Sequence, residues 1–285
     1  MNKMNLEKAL NKATKILSKN NIKTSLLDCE ILMAEAISKD RRFILTNLNK
    51  EVDINSLNYF QNLVSQRACG KPISYITGIK DFWKFKFKII DGVLIPRPDT
   101  EIIIEEALKV TKNKKKIKIL DIGVGSGCII LSLLKERKDF RGIGIDLSKK
   151  CIDLSRLNAL RLNIRNRVKF FKSDVDNFNR GKYDLIISNP PYIDEKNLKY
   201  LEKDVKNFEP KLALNGGLDG LSEIRKVINK SSELIKLNGN LILEIGFDQK
   251  EKVKKILTDR GFYINKIVKD YANNYRCIIS TKIKS

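Results

Sequence analysis

Histidine is missing altogether from this 285-residue chain. That absence excludes an imidazole base, a Ser-His or Cys-His nucleophilic pair and any metal centre that needs a His ligand. Its chemistry must run on carboxylates, amides, Tyr, Lys or backbone groups. Cysteine is scarce as well. Cys29, Cys69, Cys128, Cys151 and Cys277 are odd in number and scattered, with no Cys-x-x-Cys spacing, so neither a disulfide framework nor a zinc site is indicated. The apolar runs are far too short to cross a bilayer and Met1 to Leu10 holds no signal-like stretch, so a cytoplasmic protein is expected, with no membrane partner. Acidic residues are few, 34 against 56 Lys and Arg, a formal net charge of +22. Such a balance admits nucleic-acid contact without requiring it. The densest basic run, Lys112 to Lys116, lacks the interleaved aromatics of a single-strand groove, and Lys, Asn and Ile recur throughout as a biased codon supply would produce.

Proline is also rare, and two of the six residues stand together in Asn189-Pro190-Pro191-Tyr192, directly after the strand-like run Tyr183 to Ser188. A proline-rich turn closing a strand would look the same, but the residue types fit a specific task. A planar amide or aromatic amine is a poor nucleophile because its lone pair is delocalised. The Asn189 side-chain carbonyl and the Pro190 backbone carbonyl can each accept a hydrogen bond from such an NH2 group, pushing its nitrogen towards tetrahedral geometry. The prolines hold these acceptors rigidly, and Tyr192 offers a ring face for a flat group. Asn189, Pro190 and Tyr192 are therefore the candidate catalytic residues, Asn189 to Tyr192 with Arg97 the candidate substrate contacts, and Asn189 also a candidate contact of the group donor.

A nitrogen activated in this way is a target for methylation, and Ile117 to Leu134 reads as the cradle of a methyl donor: a short apolar strand, the turn Gly123-Val124-Gly125-Ser126-Gly127, and the opening of a helix. The glycine spacing matches neither the dinucleotide fingerprint nor a P-loop, as expected for S-adenosylmethionine, which carries no phosphate. A second strand, Gly142 to Ile145, ends in Asp146, a carboxylate able to hold two ribose hydroxyls. Taken singly, a glycine turn is as readily structural.

These pieces resemble the protein-(glutamine-N5) methyltransferases that modify class I peptide chain release factors. The likeness runs through Gly70 to Gly78, Val93 to Glu101 with its Pro-Arg-Pro-Asp-Thr-Glu core, Asp121 to Gly127, Asn189 to Tyr192, and Glu209-Pro210 onward to Leu221. The resemblance implies transfer of a methyl group from S-adenosylmethionine to the glutamine amide of a Gly-Gly-Gln loop, with the release factor as protein partner. It also implies adenine contacts at Asp174 and Val175, the latter by backbone or edge because the aromatic common there is absent. The tetrad alone is shared with enzymes that methylate exocyclic amines of nucleic acids, and a non-catalytic RNA-binding scaffold is a further alternative.

Residues 1–78 read as a small helical bundle, with stripes at Leu27, Ile31, Ala34 and Ile37 and at Leu57, Phe60, Leu63, Val64 and Arg67. By resemblance this bundle helps to recognise the protein substrate. Residues 79–95, with Phe82, Trp83, Phe85 and Phe87 partly alternating with lysines, read as a β-hairpin linker. Residues 96–285 alternate strands and helices, which argues an α/β fold with a largely parallel sheet. Candidate strands are 117–122, 142–145, 168–172, 183–188, 240–245 and 277–280, and by similarity the architecture is the seven-stranded, Rossmann-like methyltransferase sheet.

Overall fold

Short capped helices open the chain, which was characterised as a computed structural model describing residues 4–284. Helix α1 (Leu6–Lys19) starts where the Asn5 side chain accepts from the Lys8 amide, and it buries Leu6, Ala9, Leu10, Ala13 and Leu17 at helical spacing. Next come α2 (Ser25–Ala36), α3 (Arg41–Thr46), α4 (Ile54–Ala68) and α5 (Ile73–Thr77), with Asp40 and Asp53 capping α3 and α4. The stripe expected on α4 is the buried one. That expected on α2 is so only in part: Ala34 is buried and Ile37 packs on the core, but Leu27 is exposed and the rest of the core side is formed by Cys29, Leu32 and Met33. Leu26 and Leu27 lie on the water side of a helix too apolar for spacing alone to reveal its inward face. A buried ion pair between Arg67 and Asp28, 2.7 Å apart, ties α4 to α2, and Arg67 also donates to the carbonyls of Gly70 and Lys71. Removing one partner of such a pair typically costs about 3–5 kcal/mol. Residues 1–79 group with 202–208 as one unit, and residues 80–201 with 209–285 as a second.

Strands β1 (Ile79–Phe82) and β2 (Phe85–Lys88) form a two-stranded hairpin. Its turn residue Trp83 adopts φ +57°, an unusual value for a side-chain-bearing residue. Glu101 accepts its backbone N–H at 2.7 Å and Glu136 its indole N–H at 2.8 Å, which fixes the turn.

The second unit then alternates: α6 (Glu101–Val110), β3 (Lys118–Ile122), α7 (Cys128–Glu136), β4 (Arg141–Asp146), α8 (Lys149–Arg161), β5 (Val168–Lys172) and β6 (Tyr183–Ser188). After α9 (Lys203–Phe208) follow α10 (Ser222–Leu234), β7 (Ile235–Glu244), α11 (Lys250–Asp259), β8 (Phe262–Lys269) and β9 (Tyr275–Lys282). The sheet runs β5-β4-β3-β6-β7-β9-β8, parallel except for β9, which is antiparallel to both neighbours. This is the expected seven-stranded architecture. Strand β8 was not among the candidate strands, because as an edge strand it mixes Lys266 and Lys269 with Phe262, Ile264 and Ile267 and shows no clean alternation. Helices α6, α7 and α8 pack one on the next, and α10 packs on α11, giving the two helical layers. Between them, Leu120, Ile186, Leu241, Leu243 and Ile278 are wholly buried.

Candidate active site

Register brings the two motifs side by side. Strands β3 and β6 are neighbours with Ile122 opposite Ser188, and the Ser188 hydroxyl donates to the Ile122 carbonyl at 2.7 Å. Gly123 and Asn189 thus leave adjacent strands at the same sheet edge. Asp146 leaves the other neighbour of β3, and Ser173, before Asp174, follows the next strand, its amide donating to the Asp146 carbonyl. Carboxyl ends of parallel strands are where open α/β sheets bind ligands.

The glycine turn is held from below by its own backbone and by α8. The amides of Gly123 and Val124 both donate to the Ile145 carbonyl at 2.9 Å, and that of Gly125 to an Asp146 carboxylate oxygen at 2.9 Å. Ser155 donates to the Gly125 carbonyl, while Asn158 donates to that of Ser126 and grips both backbone groups of Lys88. Gly123 and Gly125 have φ of +75° and +54°, and a methyl group added at either would meet no atom within 4 Å. They therefore leave open space through which a ligand can approach the bare backbone. Gly127 differs: at φ +83° its added Cβ would lie 2.8 Å from Leu131 Cδ1, so it serves close packing.

Asp146 accepts from Gly125 through one oxygen and from Ser148 at 2.8 Å through the other, leaving each oxygen a further acceptor position. Burial raises its carboxyl above the ordinary range. Beneath the turn, burial pushes the Asp121 carboxyl up to about 8, so at neutral pH it is mostly uncharged, and the floor does not confront Asp146 with a second full charge. Asp174 closes its own turn by accepting from the Asp176 amide, and Val175 packs on the core.

The acceptor corner is assembled from distant segments. Asn189 Nδ2 donates to Thr100 Oγ1 at 3.2 Å, and Thr100 Oγ1 donates to Glu244 Oε2 at 2.7 Å. The Tyr192 hydroxyl donates to the other oxygen of Glu244 at 3.2 Å and accepts from Arg276 at 3.3 Å, with Arg276 tethered to Asp270. Burial pushes the Tyr192 phenol up and the Glu244 carboxyl to about 7, the latter opposed by Thr100, Arg276 and Tyr192. Pro190 is buried and Pro191 half-buried. Behind the tetrad, Gln249 donates to the carbonyls of Tyr192 and Gly220, and Ile193 exchanges backbone bonds with Leu214 and Gly216. The Gly216 to Leu221 run thus props the tetrad. Gly220 (φ +71°) is pressed so close that an added Cβ would lie 2.6 Å from the Tyr192 carbonyl.

Arg97 is engaged by the buried Glu209 at 2.5 Å, and Glu209 also accepts from the Ile95 amide. Thr100, Glu209, Gln249 and Arg276 were not singled out from sequence. Thr100 and Glu209 lie inside stretches that carried the resemblance, whereas nothing around Gln249 or Arg276 marks them. A separate cavity of about 290 Å³, lined by Arg156, Arg165, Lys169 and Phe171 among others, contains none of these residues.

Residues 8–78 match the family described as the PrmC N-terminal domain, and residues 100–219 that described as the methyltransferase small domain. The release factor glutamine methyltransferase of Clostridium acetobutylicum is 37% identical over 282 residues, spanning 98% of this chain and 99% of the relative. That of Fusobacterium nucleatum is 37% identical over 277 residues, covering 95% and 77%. The chain belongs to the release factor glutamine methyltransferase family. Family membership makes it an S-adenosylmethionine-dependent methyltransferase. Among solved structures, the M. jannaschii tRNA m1G37 methyltransferase matches with a TM-score of 0.51 at 18% identity, over 73% of this chain and 57% of that one, a likeness of fold alone. In family terms, the glycine turn and Asp146 suit the donor in shape and chemistry: open backbone for an uncharged nucleoside and a carboxylate for its hydroxyls.

Proposed function

We propose that this chain methylates the side-chain amide of the glutamine in the Gly-Gly-Gln motif of class I release factors. Gly123 to Gly127 and Asp146 would hold S-adenosylmethionine, with Asp174 and Val175 at its base. When bound, the donor supplies a methyl carbon already activated by a positive sulfur. The chain's own task is to make the amide nitrogen nucleophilic and to aim it. Asn189 Oδ1 and the Pro190 carbonyl each accept one N–H of the glutamine NH2, drawing the lone pair out of conjugation. The nitrogen lone pair would form the new N–C bond as the C–S pair returned to sulfur, and the nitrogen would then give up one proton to water. No imidazole is needed, because positioning carries most of the barrier reduction.

The observation that carries this reading is the pairing of Ile122 with Ser188, which sets the glycine turn beside Asn189. Arg97 and the helical unit of residues 1–78 contribute substrate recognition, with 79–95 as the linker. Incubating the pure protein with methyl-labelled donor and, separately, release factor, DNA and rRNA tests it. Label in the release factor at glutamine supports the reading. Label in nucleic acid replaces it with exocyclic-amine methylation, and donor binding without transfer replaces it with a non-catalytic role.

A further inference from the structure

Two hydroxyl groups converge on one buried carboxylate behind the tetrad, and each has a single proton to give. Thr100 spends its proton on Glu244 Oε2 at 2.7 Å, so towards Asn189 it has lone pairs only. The group facing it at 3.2 Å must then be the Asn189 NH2 end, because the carbonyl end would set two proton-free oxygens against each other. Tyr192 likewise gives its proton to Glu244 Oε1 and accepts from Arg276. Glu244 is only 1% exposed, so water does not compete for these positions.

We infer that Glu244 is a positioning residue: through the Thr100 hydroxyl it fixes which end of the Asn189 amide faces the substrate, and through Tyr192 it fixes the other arm of the tetrad. This rests on the reading of Asn189 Oδ1 as acceptor for the glutamine NH2. The relay works in one direction while Glu244 is ionised. Once protonated on Oε2, Glu244 can donate to Thr100, whose proton is then free to point at Asn189 and stabilise the flipped amide. The groups facing Glu244 are Thr100 and Asp99 from the turn before α6, Tyr192 from the tetrad, and Arg276 and the Cys277 thiol from β9. Burial outweighs the attraction of Arg276 and brings the carboxyl to about 7, so the switch lies near neutral pH.

The test uses the full chain with release factor and donor. Thr100→Val, which keeps shape but loses the hydroxyl, lowers kcat about tenfold with donor affinity unchanged, and Thr100→Ser recovers most of that loss. Wild-type kcat falls as pH drops through about 7. Glu244→Gln cannot titrate, so that acid limb disappears. In the free protein, the NMR signals of the Asn189 side-chain NH2 move with the same pH midpoint and are displaced in Thr100→Val but not in Thr100→Ser. Wild-type turnover in Thr100→Val, an acid limb that persists in Glu244→Gln, or Asn189 signals indifferent to Thr100→Val would each overturn the relay. If the wild type transfers no methyl to the release factor, the substrate reading fails on that result alone, and the NMR arm still decides the relay.

Discussion

Strands β3 and β6 end side by side, yet the turns that follow them are built in opposite ways. The turn after β3 is almost all backbone: three glycines at positive φ, amides tied to Ile145 and Asp146, and supports from α8 close by in sequence. The corner after β6 depends on side chains from elsewhere, with Thr100 bonded to Asn189 and Gln249, Glu244 and Arg276 to Tyr192. On the proposed reading, the contrast follows from what each end must do. Binding a donor requires room and a few fixed dipoles, which local chain geometry provides. Making an amide reactive requires acceptors held in one orientation, which takes a hydrogen-bond network with every proton assigned.

Substitutions that touch one corner and not the other break or sharpen this comparison. Asn189→Ala has the largest expected effect, a loss in kcat of about a hundredfold or more with donor affinity nearly unchanged. Steady-state kinetics beside calorimetric donor titration reads both, and a parallel collapse of donor binding would merge the two corners into one. Gly127→Ala comes next. At φ +83°, with Leu131 in the way, it lowers stability by about 2 kcal/mol in denaturant titration, whereas the equally left-handed but open Gly123 shows the backbone cost without the crowding.

Asp146→Asn keeps one acceptor and loses the other, so the donor KM rises about tenfold while kcat at saturating donor changes little. A fall in kcat instead would place Asp146 in the acceptor machinery. The smallest effect is expected from Tyr192→Phe, which keeps the ring and removes the hydroxyl between Glu244 and Arg276. A roughly threefold lower kcat is the expected result, and an unchanged rate would assign the tyrosine to packing alone.

The same contrast explains what could be seen in the sequence. The glycine turn, Asp146 and the strands that carry them are legible because their partners follow within one βαβ unit and the required residue types are few. The tetrad is legible as four letters, but its brace is not. Thr100 lies before α6 and Arg276 on β9, and only the sheet order brings them to Tyr192 and Glu244. Arg97 reads as a cleft residue in isolation, and its partner Glu209 becomes visible only once the chain is folded. The α2 stripe held only at Ala34 and Ile37, for a different reason. Apolar residues nearly encircle that helix, so periodicity there does not choose a face.

Arg276 stands on β9, the last strand in sequence, whereas Gly123 to Gly127 follow the first strand formed after α6 and Asp146 ends the second. A ribosome making this chain therefore completes the residues proposed to face the donor long before the guanidinium that hydrogen-bonds Tyr192 emerges. On the proposed reading, a half-made copy has the donor-side residues but lacks Arg276, so the network around Tyr192 and Glu244 is completed only with the closing hairpin.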